Sequence, residues 1–463
     1  MLLFLSLILL LAALYGGYRH RENILHPAFW TSLGFLGYSI GGIYYFAFGY
    51  ENANFLNLAG IDLSDRGEWF LIAMTTVLCG FFVCSLGFHF GDRYAQRYLE
   101  PGSVNIVGRS FPSMLHIWGG LAAIVLTILG VLYWVYFARQ IAGGVISMFQ
   151  NVAAYRYLAA DAGMSAIPFH LAYGGALLWM LICLDTKRNH PVALIFLPVG
   201  AVMILSTGRI ALANGFAFSG IIAYYFALKG CVNWKVFAGA LFLLLPFNVV
   251  FYFFRVYTSY AYIGKAEEFV LLEVGRDVDV ETASALFYKF KYVLKALIGG
   301  GNVPDLQQII LIFHGLFEGR LHLEFGSTYF DWLRNLSGVR IGAPNEGVQS
   351  VGYRILAAYF PQKTGGPTPG MMGEAILNFG FLAPLAIFAF CFLMAIVFAR
   401  ASRSQSLLVK LLYCQFLIGI WALFLKVDSS LLLGYLWAAG PISLCWFGLH
   451  VLARLRERML RAT

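Results

Sequence analysis

Long apolar runs alternate with short polar segments along most of the 463-residue chain. Each run is close to the length of a membrane-spanning helix, which satisfies its own backbone hydrogen bonds inside lipid. The pattern therefore predicts an all-α polytopic membrane protein with about eleven transmembrane helices. The predicted spans cover residues 1–18, 26–50, 68–90, 113–138, 166–185, 191–206, 210–228, 236–254, 374–399, 409–426 and 430–452.

One long segment, residues 255–373, interrupts this pattern. It separates an N-terminal bundle of about eight spans (1–254) from about three C-terminal spans that end in a polar tail (374–463). Within the segment, residues 304–317 begin with proline and follow an amphipathic pattern, which predicts a short helix on, or dipping into, the membrane surface. A twelfth span at this position is the alternative.

The composition supports a membrane protein. Hydrophobic residues make up 60% of the chain and charged residues 12%, with a mean hydropathy of +0.74. A soluble domain is about 25% charged, so these values exclude a soluble enzyme, a disordered chain and a coiled coil. The net charge of +9 makes the distribution of basic residues the next question.

Basic residues are unequally divided between the two sets of predicted loops. One set of short loops, together with the C-terminal tail, carries 16 lysines and arginines, whereas the opposite short loops carry 5. The positive-inside rule therefore puts the C-terminus in the cytoplasm, and eleven spans then put the N-terminus outside. The first run has its arginines after the apolar stretch, so we interpret it as an anchor and not as a cleavable signal. The long segment falls outside, as one large extracytoplasmic loop with short amphipathic helices.

Arginines on the predicted outer side are the first candidates for chemistry. Arg209 follows Gly208 at the predicted start of a helix, where a forked donor and the helix dipole favour an anion. Arg156 lies between Tyr155 and Tyr157, which suits stacking against sugars. Snorkelling to lipid headgroups and a simple aromatic belt are the structural alternatives.

The long loop adds six arginines that could clamp a diphosphate. It also carries as many acidic as basic residues, 11 of each, so surface ion pairs are the alternative. The six are Arg255, Arg276, Arg320, Arg334, Arg340 and Arg354.

Few residues offer a general base. Glu374 lies at the predicted start of the ninth span, where the helix dipole alone would explain a carboxylate. His314 and His322 are eight residues apart, which is too far for a shared zinc ion, although a single histidine can accept a proton. No Walker-type motif and no CxxC pattern is present, so we expect no nucleotide, metal or other cofactor.

Two short segments resemble a known family. TPGMMGEAILNFG at 368–380 is similar to the TPG…GE…NFG signature of the Wzy-type polymerases of O-antigen and exopolysaccharide repeat units. EFGSTY at 324–329, the Gly208-Arg209 pair and the Tyr155-Arg156-Tyr157 triplet resemble the same family, as does the layout of many spans with one large late outer loop. The clear local resemblance covers residues 325–380.

The resemblance implies a fold, a reaction and a location. The fold would be similar to the C-type membrane-embedded glycosyltransferases, in the bacterial inner membrane. The chain would polymerise undecaprenyl-diphosphate-linked oligosaccharides on the periplasmic face, without metal or nucleotide sugar. It would transfer the growing glycan to a hydroxyl of the next lipid-linked unit, with a flippase and a chain-length regulator as partners and no role for nucleic acid.

The resemblance also implies roles for the candidate arginines, tyrosines and bases. Fixed arginines would stabilise the charge that develops on the leaving diphosphate. We expect this of Arg209 and of the binding residues Arg156, Arg255, Arg276, Arg320, Arg340 and Arg354, with Tyr155 and Tyr329 on the sugar. Glu374, Glu324 and His314, in that order, are the candidate bases for the acceptor hydroxyl.

Two other functions remain open from the sequence. An O-antigen ligase of the same fold class would also have a large outer loop with arginine and histidine. A flippase for the lipid-linked unit is the alternative from another class. Transporters typically carry charges at the middle of the membrane and internal repeats. The predicted spans here are nearly free of charge at their middle, which favours chemistry on the outer face.

Overall fold

The computed structural model describes residues 1–99, 113–150, 169–186, 191–206, 210–229, 231–239, 306–331, 351–360, 369–421 and 431–462. These residues are mostly helical, and no strand occurs among them. Their α-helices are α1 (Leu2–Arg19), α2 (Pro27–Phe48), α3 (Asn54–Leu58), α4 (Arg66–Tyr98), α5 (Ser113–Ala142), α6 (Val145–Gln150), α7 (His170–Asp185), α8 (Leu197–Leu205), α9 (Ile210–Lys229), α10 (Leu306–Phe317), α11 (Thr328–Asp331), α12 (Val351–Tyr359), α13 (Gly370–Phe379), α14 (Ala383–Arg403), α15 (Leu407–Phe416) and α16 (Leu431–Ala462).

Four helical stretches of the described chain are long and apolar enough to cross a membrane. They are Leu2–Arg19, Arg66–Tyr98, His116–Ala142 and Gly370–Arg403. Shorter apolar helices accompany them, and every predicted run that the structure describes contains a helix. The run at 236–254 lies largely outside the described residues. The structure thus supports a helical membrane protein, while the number of eleven spans stays a prediction.

The predicted span at 374–399 is divided in the structure. Helix α13 ends at Phe379, and α14 begins at Ala383 after a single 3-10 turn. Gly380 has a φ of 53°, which suits glycine, and Pro384 occupies the first turn of the next helix, where its missing N–H costs nothing. Glu374 therefore lies within a separate short helix and not at the start of the span.

Helix α14 packs closely along α4, and two glycines of α4 make this possible. A Cβ atom on Gly87 would lie 2.7 Å from the carbonyl oxygen of Phe388, and one on Gly91 would lie 2.6 Å from that of Phe392. Small residues allow such close approach between membrane helices. The contact holds α14 close to the long helix α4.

Helix α10 confirms the helix predicted at 304–317, but it is more deeply packed than an interfacial helix. All its residues from Leu306 to Ile312 are buried, and it packs against α2, α3, α4, α12 and α13. The side chain of Gln307 explains how a polar residue is accommodated there. Its Nε2 donates to the hydroxyl of Tyr45 over 2.6 Å, and its Oε1 accepts the N–H of Phe55 over 2.9 Å.

Polar side chains meet at the junction of α1, α2 and α4, which we call the capping end. Nε2 of His26 lies 3.1 Å from each carboxylate oxygen of Asp92, and Nδ1 of His26 accepts the N–H of Ala28 at the start of α2. His20 stacks on His26 with 4.2 Å between ring centroids. Arg403 of α14 donates to the carbonyl oxygens of Ala95 and Leu99.

Candidate functional site

Six predicted site residues lie in three neighbouring pieces of the structure: residues 306–331, 351–360 and 369–380. These six are His314, Arg320, Glu324, Tyr329, Arg354 and Glu374. We call this region the candidate site. The other predicted residues, Arg156, Arg209, Arg255, Arg276, Arg340 and Tyr155, lie outside the described residues, as does Arg334.

A tight turn of residues 324–327 is attached to the end of α13 by its backbone. The N–H of Glu324 donates to the carbonyl oxygen of Leu377 over 3.1 Å, and that of Phe325 to the carbonyl oxygen of Asn378 over 2.9 Å. The N–H of Gly326 donates to the side-chain oxygen of Asn378, also over 2.9 Å. These bonds join the two segments that carry the family resemblance, although about 50 residues separate them.

A buried cluster of Glu374, Thr328 and Asn378 lies beneath this turn. All three side chains are nearly inaccessible to solvent. The hydroxyl of Thr328 donates to Oε1 of Glu374 over 2.8 Å and accepts from Nδ2 of Asn378 over 2.6 Å. Nδ2 of Asn378 also donates to the backbone carbonyl oxygen of Glu374. Buried polar groups are costly unless they are hydrogen-bonded, so this connected cluster fixes the position of the turn against α13.

An ion pair lies at the edge of the turn. Nη1 of Arg354 donates to Oε1 of Glu324, and the hydroxyl of Ser327 donates to Oε2 of the same carboxylate over 2.9 Å. The two charged side chains are 20% and 21% exposed, so a ligand at the surface can reach them. Both oxygens of Glu324 are thus already engaged, and an anion that binds Arg354 would compete with Glu324.

His314 is held by Tyr359 at the end of α12. The hydroxyl of Tyr359 donates to the carbonyl oxygen of Leu311 over 3.2 Å, so it accepts from Nδ1–H of His314 over 2.8 Å. This assignment leaves the lone pair on Nε2, to which no described residue donates a hydrogen bond. Burial and then the positive charge of Arg320 lower the pKa of His314, against the opposing effect of Glu318. A neutral imidazole with a free lone pair at neutral pH is the form that a general base needs.

Aromatic rings surround His314 and Tyr359. The guanidinium carbon of Arg320 lies 5.3 Å from the ring centroid of Tyr359, a distance typical of cation–π contacts. Burial raises the pKa of Tyr359 to about 12; of the smaller effects, Arg320 lowers it and Glu318 raises it. The phenol therefore stays protonated, donates to the carbonyl oxygen of Leu311 and accepts the Nδ1–H of His314. Trp69, near the start of α4, lies 5.6 Å from the imidazole of His314 between ring centroids.

Tyr329 packs into the same region from the opposite side of the turn. Its ring stacks on Phe379 and meets Phe390 edge to face, at centroid distances of 6.1 and 5.3 Å. Burial, together with the negative charge of Glu374, raises the pKa of its hydroxyl. The surroundings of Tyr329 are therefore mostly aromatic, and its ring fixes the end of α13 against α14.

Four side chains of this site are not among the site residues predicted from the sequence. Asn378 belongs to the motif at 368–380, and Ser327 and Thr328 belong to the motif at 324–329, so the resemblance points to them without assigning a role. Tyr359 has no such signal, because its contact with His314 spans 45 positions along the chain.

No group of three His, Cys, Asp or Glu side chains within the described ranges could hold a metal ion. We compared the whole chain with protein-family models, with curated proteins and with solved structures, and it matches none of them. The geometry of the site and the resemblance of the two motifs are therefore the grounds for a functional proposal.

Proposed function

We propose that this protein polymerises undecaprenyl-diphosphate-linked oligosaccharide units on the periplasmic face of a bacterial inner membrane. The observation that carries the proposal is the hydrogen-bonded junction between residues 324–328 and residues 374–378. The two motifs that resemble the polymerase family meet there, beside a reachable Arg354. The proposed topology has eleven spans, a periplasmic N-terminus, a periplasmic loop at 255–373 and a cytoplasmic C-terminus.

The reaction first requires stabilisation of a leaving lipid diphosphate. As the bond between the anomeric carbon and the diphosphate oxygen breaks, negative charge grows on that oxygen, and a fixed cation stabilises the transition state more than the ground state. Arg354 suits this role because its guanidinium stays charged at any relevant pH. Arg320 lies on the connected segment and is exposed. Arg209 and the other predicted arginines remain proposals.

The reaction also requires a base that accepts the proton of the acceptor hydroxyl. Among the three candidates, His314 suits this best, because its Nε2 carries a lone pair and the lowered pKa keeps the ring neutral. Glu324 would first have to leave Arg354 and Ser327. Glu374 is fully buried beneath the turn, which favours a supporting role. We therefore propose His314 as base, ahead of Glu324 and Glu374.

Binding of the donor would link these two requirements. A diphosphate that binds Arg354 displaces Glu324 from the guanidinium, and the freed carboxylate then faces the same surface as the bound substrate. The acceptor oxygen forms the new bond to the anomeric carbon, its proton passes to Nε2 of His314, and undecaprenyl diphosphate leaves. A flippase that delivers the units and a chain-length regulator would be the partners.

The test is elongation of a purified undecaprenyl-diphosphate-linked repeat unit by the full chain in nanodiscs. We expect the wild-type protein to produce longer glycans. His314→Gln should lower kcat at least about 100-fold, the scale of general-base catalysis, with a smaller change in KM. His322→Gln is the matched control, because His322 is exposed eight residues further along, and it should keep wild-type activity.

The same assay separates the alternatives. Transfer of glycan only to added lipid A core would indicate a ligase. Movement of the lipid-linked unit across vesicles without any elongation would indicate a flippase. Equal activity of the His314→Gln and His322→Gln variants would exclude His314 as base, even if the polymerase activity itself is found.

A further inference from the structure

Phe325 occupies a backbone conformation that disfavours its own side chain. The N–H of Ser327 donates to the carbonyl oxygen of Glu324 over 2.9 Å, which closes a β-turn with Phe325 and Gly326 at its centre. Their φ values are 48° and 89°. Two positive φ values are typical of a type I′ turn, in which Gly, Asn and Asp are the favoured residues. Phe325 is the one residue other than glycine with a positive φ in the described chain.

The side chain of Phe325 makes few packing contacts that could offset this backbone strain. The residue is 81% exposed, and its ring makes no aromatic contact with another described residue. The turn is held by backbone groups of Leu377 and Asn378 and by the side chain of Asn378, none of which requires a phenylalanine at this position. Backbone strain that brings no packing in return is a feature of ligand-binding positions.

The position of Phe325 indicates which kind of ligand it suits. The residue directly follows Glu324, whose carboxylate binds Arg354. Leu323, two residues before Phe325, lies against Gly380, where an added Cβ atom would be 3.3 Å from Cδ2 of the leucine. The exposed side chains of Phe381 and Leu382 follow Gly380 within the membrane-length stretch Gly370–Arg403. The exposed ring is thus close along the chain to Glu324, which binds the cationic Arg354, and to Leu323, which contacts the start of an apolar strip within a candidate span.

We propose that Phe325 is a specificity-determining residue that contacts the first isoprene units of a lipid diphosphate while Arg354 binds the diphosphate. An anionic head joined directly to an apolar chain combines a charge with apolar surface, as do Arg354, Phe325 and the strip of Leu323, Phe381 and Leu382. This inference rests on the proposed function and deepens it, since it assigns a residue that recognises the lipid part of the donor.

Two soluble probes test this inference: inorganic pyrophosphate, which has only the head group, and farnesyl diphosphate, which adds three isoprene units. Their affinities are measured by calorimetry on the full chain in nanodiscs. We expect Phe325→Gly to weaken farnesyl diphosphate binding about 10-fold or more, the scale of losing one buried phenyl ring, and to leave pyrophosphate binding within about 2-fold. Phe325→Trp, which keeps an aromatic ring, should stay within about 3-fold for both probes.

Two further variants control for stability and for general contact with lipid. Asn suits the turn best, so Phe325→Asn should match or exceed the wild-type midpoint of thermal unfolding and still lose farnesyl diphosphate affinity. Phe447→Ala removes a phenyl ring that is 68% exposed on α16, outside the candidate site, and it should bind both probes as the wild type does.

The outcomes separate this inference from the function on which it rests. If the wild-type protein prefers farnesyl diphosphate and Phe325→Gly keeps that preference, the role of Phe325 is wrong and the proposed function stands. Equal losses in Phe325→Gly and Phe447→Ala would mean that the ring of Phe325 makes only a general contact with lipid, and would overturn the inference. If the wild-type protein binds neither probe, the lipid-diphosphate substrate class and the role of Phe325 both fail.

Discussion

The capping end and the candidate site both contain histidines, carboxylates and an arginine, but they use them differently. At the capping end, His26 receives a backbone N–H of α2, and Arg403 donates to the backbone carbonyls at the end of α4. At the candidate site, Arg354 binds the side chain of Glu324, and His314 binds the side chain of Tyr359. Helix α4 contributes to both regions, with Trp69 beside the site and Asp92 at the capping end.

This difference gives a criterion for separating structural from functional charges. A charged group that satisfies helix ends has a structural reason, because those backbone groups otherwise lack partners. Arg66 has a similar structural reason, since its guanidinium binds the connection between α2 and α4, where it donates to the carbonyl oxygens of Ile61 and Tyr50 and to the side chain of Asn57. Glu324, by contrast, binds the side chains of Arg354 and Ser327 and satisfies no helix end, so this structural reason does not apply to it.

The largest expected effect on stability comes from the buried cluster that supports the site. Asn378→Ala removes the acceptor of the Gly326 N–H and the donor to the Thr328 hydroxyl and to the carbonyl oxygen of Glu374, so the cluster loses three hydrogen bonds at once. We expect a loss of about 2–4 kcal/mol in the free energy of unfolding. The control is Asn52→Ala, in which the lost amide donates only to carbonyls at a half-buried surface. That variant should lose about 1 kcal/mol or less, measured by thermal unfolding in detergent.

Equal losses in the Asn378 and Asn52 variants would remove the distinction between the supporting cluster and an ordinary helix-end contact. Loss of elongation in Asn378→Ala with unchanged stability would instead make Asn378 a participant in the reaction.

The sequence predicted the positions of helices, and which segments meet at the candidate site, better than it predicted the geometry of that site. Apolar runs locate helices because helical membrane segments must bury all their backbone groups internally. The resemblance of 324–329 and 368–380 to one family groups Glu324 with Glu374, and the structure brings these two segments into contact. The break at Gly380 was missed, because the apolar run continues across it and one glycine in a span predicts no break.

Other features have no local signal at all. The bond between His314 and Tyr359 depends on the path of the chain between α10 and α12. The positive φ of Phe325 is equally hidden, since the phenylalanine contradicts the turn that Gly326 suggests. Residue types indicate candidate chemistry. Only the packing shows that Glu324 is hydrogen-bonded to Arg354 and that His314 keeps a lone pair on Nε2.

Acidification should affect the capping end through His20. Burial, followed by the charge of His26 and with a smaller contribution from Arg19, lowers the pKa of His20 to about 4, while Asp92 opposes the shift. The unfolded chain binds this proton near pH 6.5 and the folded chain only near pH 4, so folding loses stability as the pH falls between these values. At pH 4 the loss attributable to His20 reaches up to about 3 kcal/mol.

The measurement is the midpoint of thermal unfolding from pH 7.5 to pH 4 for the wild type and for His20→Gln. The wild type should lose stability relative to the variant below pH 6.5, with no pH-dependent difference above it. His314→Gln is the comparison from the candidate site, where the lowered pKa predicts a change of the same sign. A difference between wild type and His20→Gln that does not vary with pH would refute the assignment to His20.

The smallest expected effect on stability is that of the ion pair itself. Glu324→Gln breaks a pair whose side chains are about one-fifth exposed, and such pairs contribute about 1 kcal/mol or less. The same change frees Arg354 from a competing carboxylate, which should tighten pyrophosphate binding about 5-fold. Glu318→Gln is the matched control, because it removes the same charge from an exposed position six residues away. If both variants tighten pyrophosphate binding equally, the change in net charge is responsible and not the ion pair. If Glu324→Gln weakens binding, Glu324 holds Arg354 in its binding position. The ion pair would then have a structural role, as the charged groups of the capping end do.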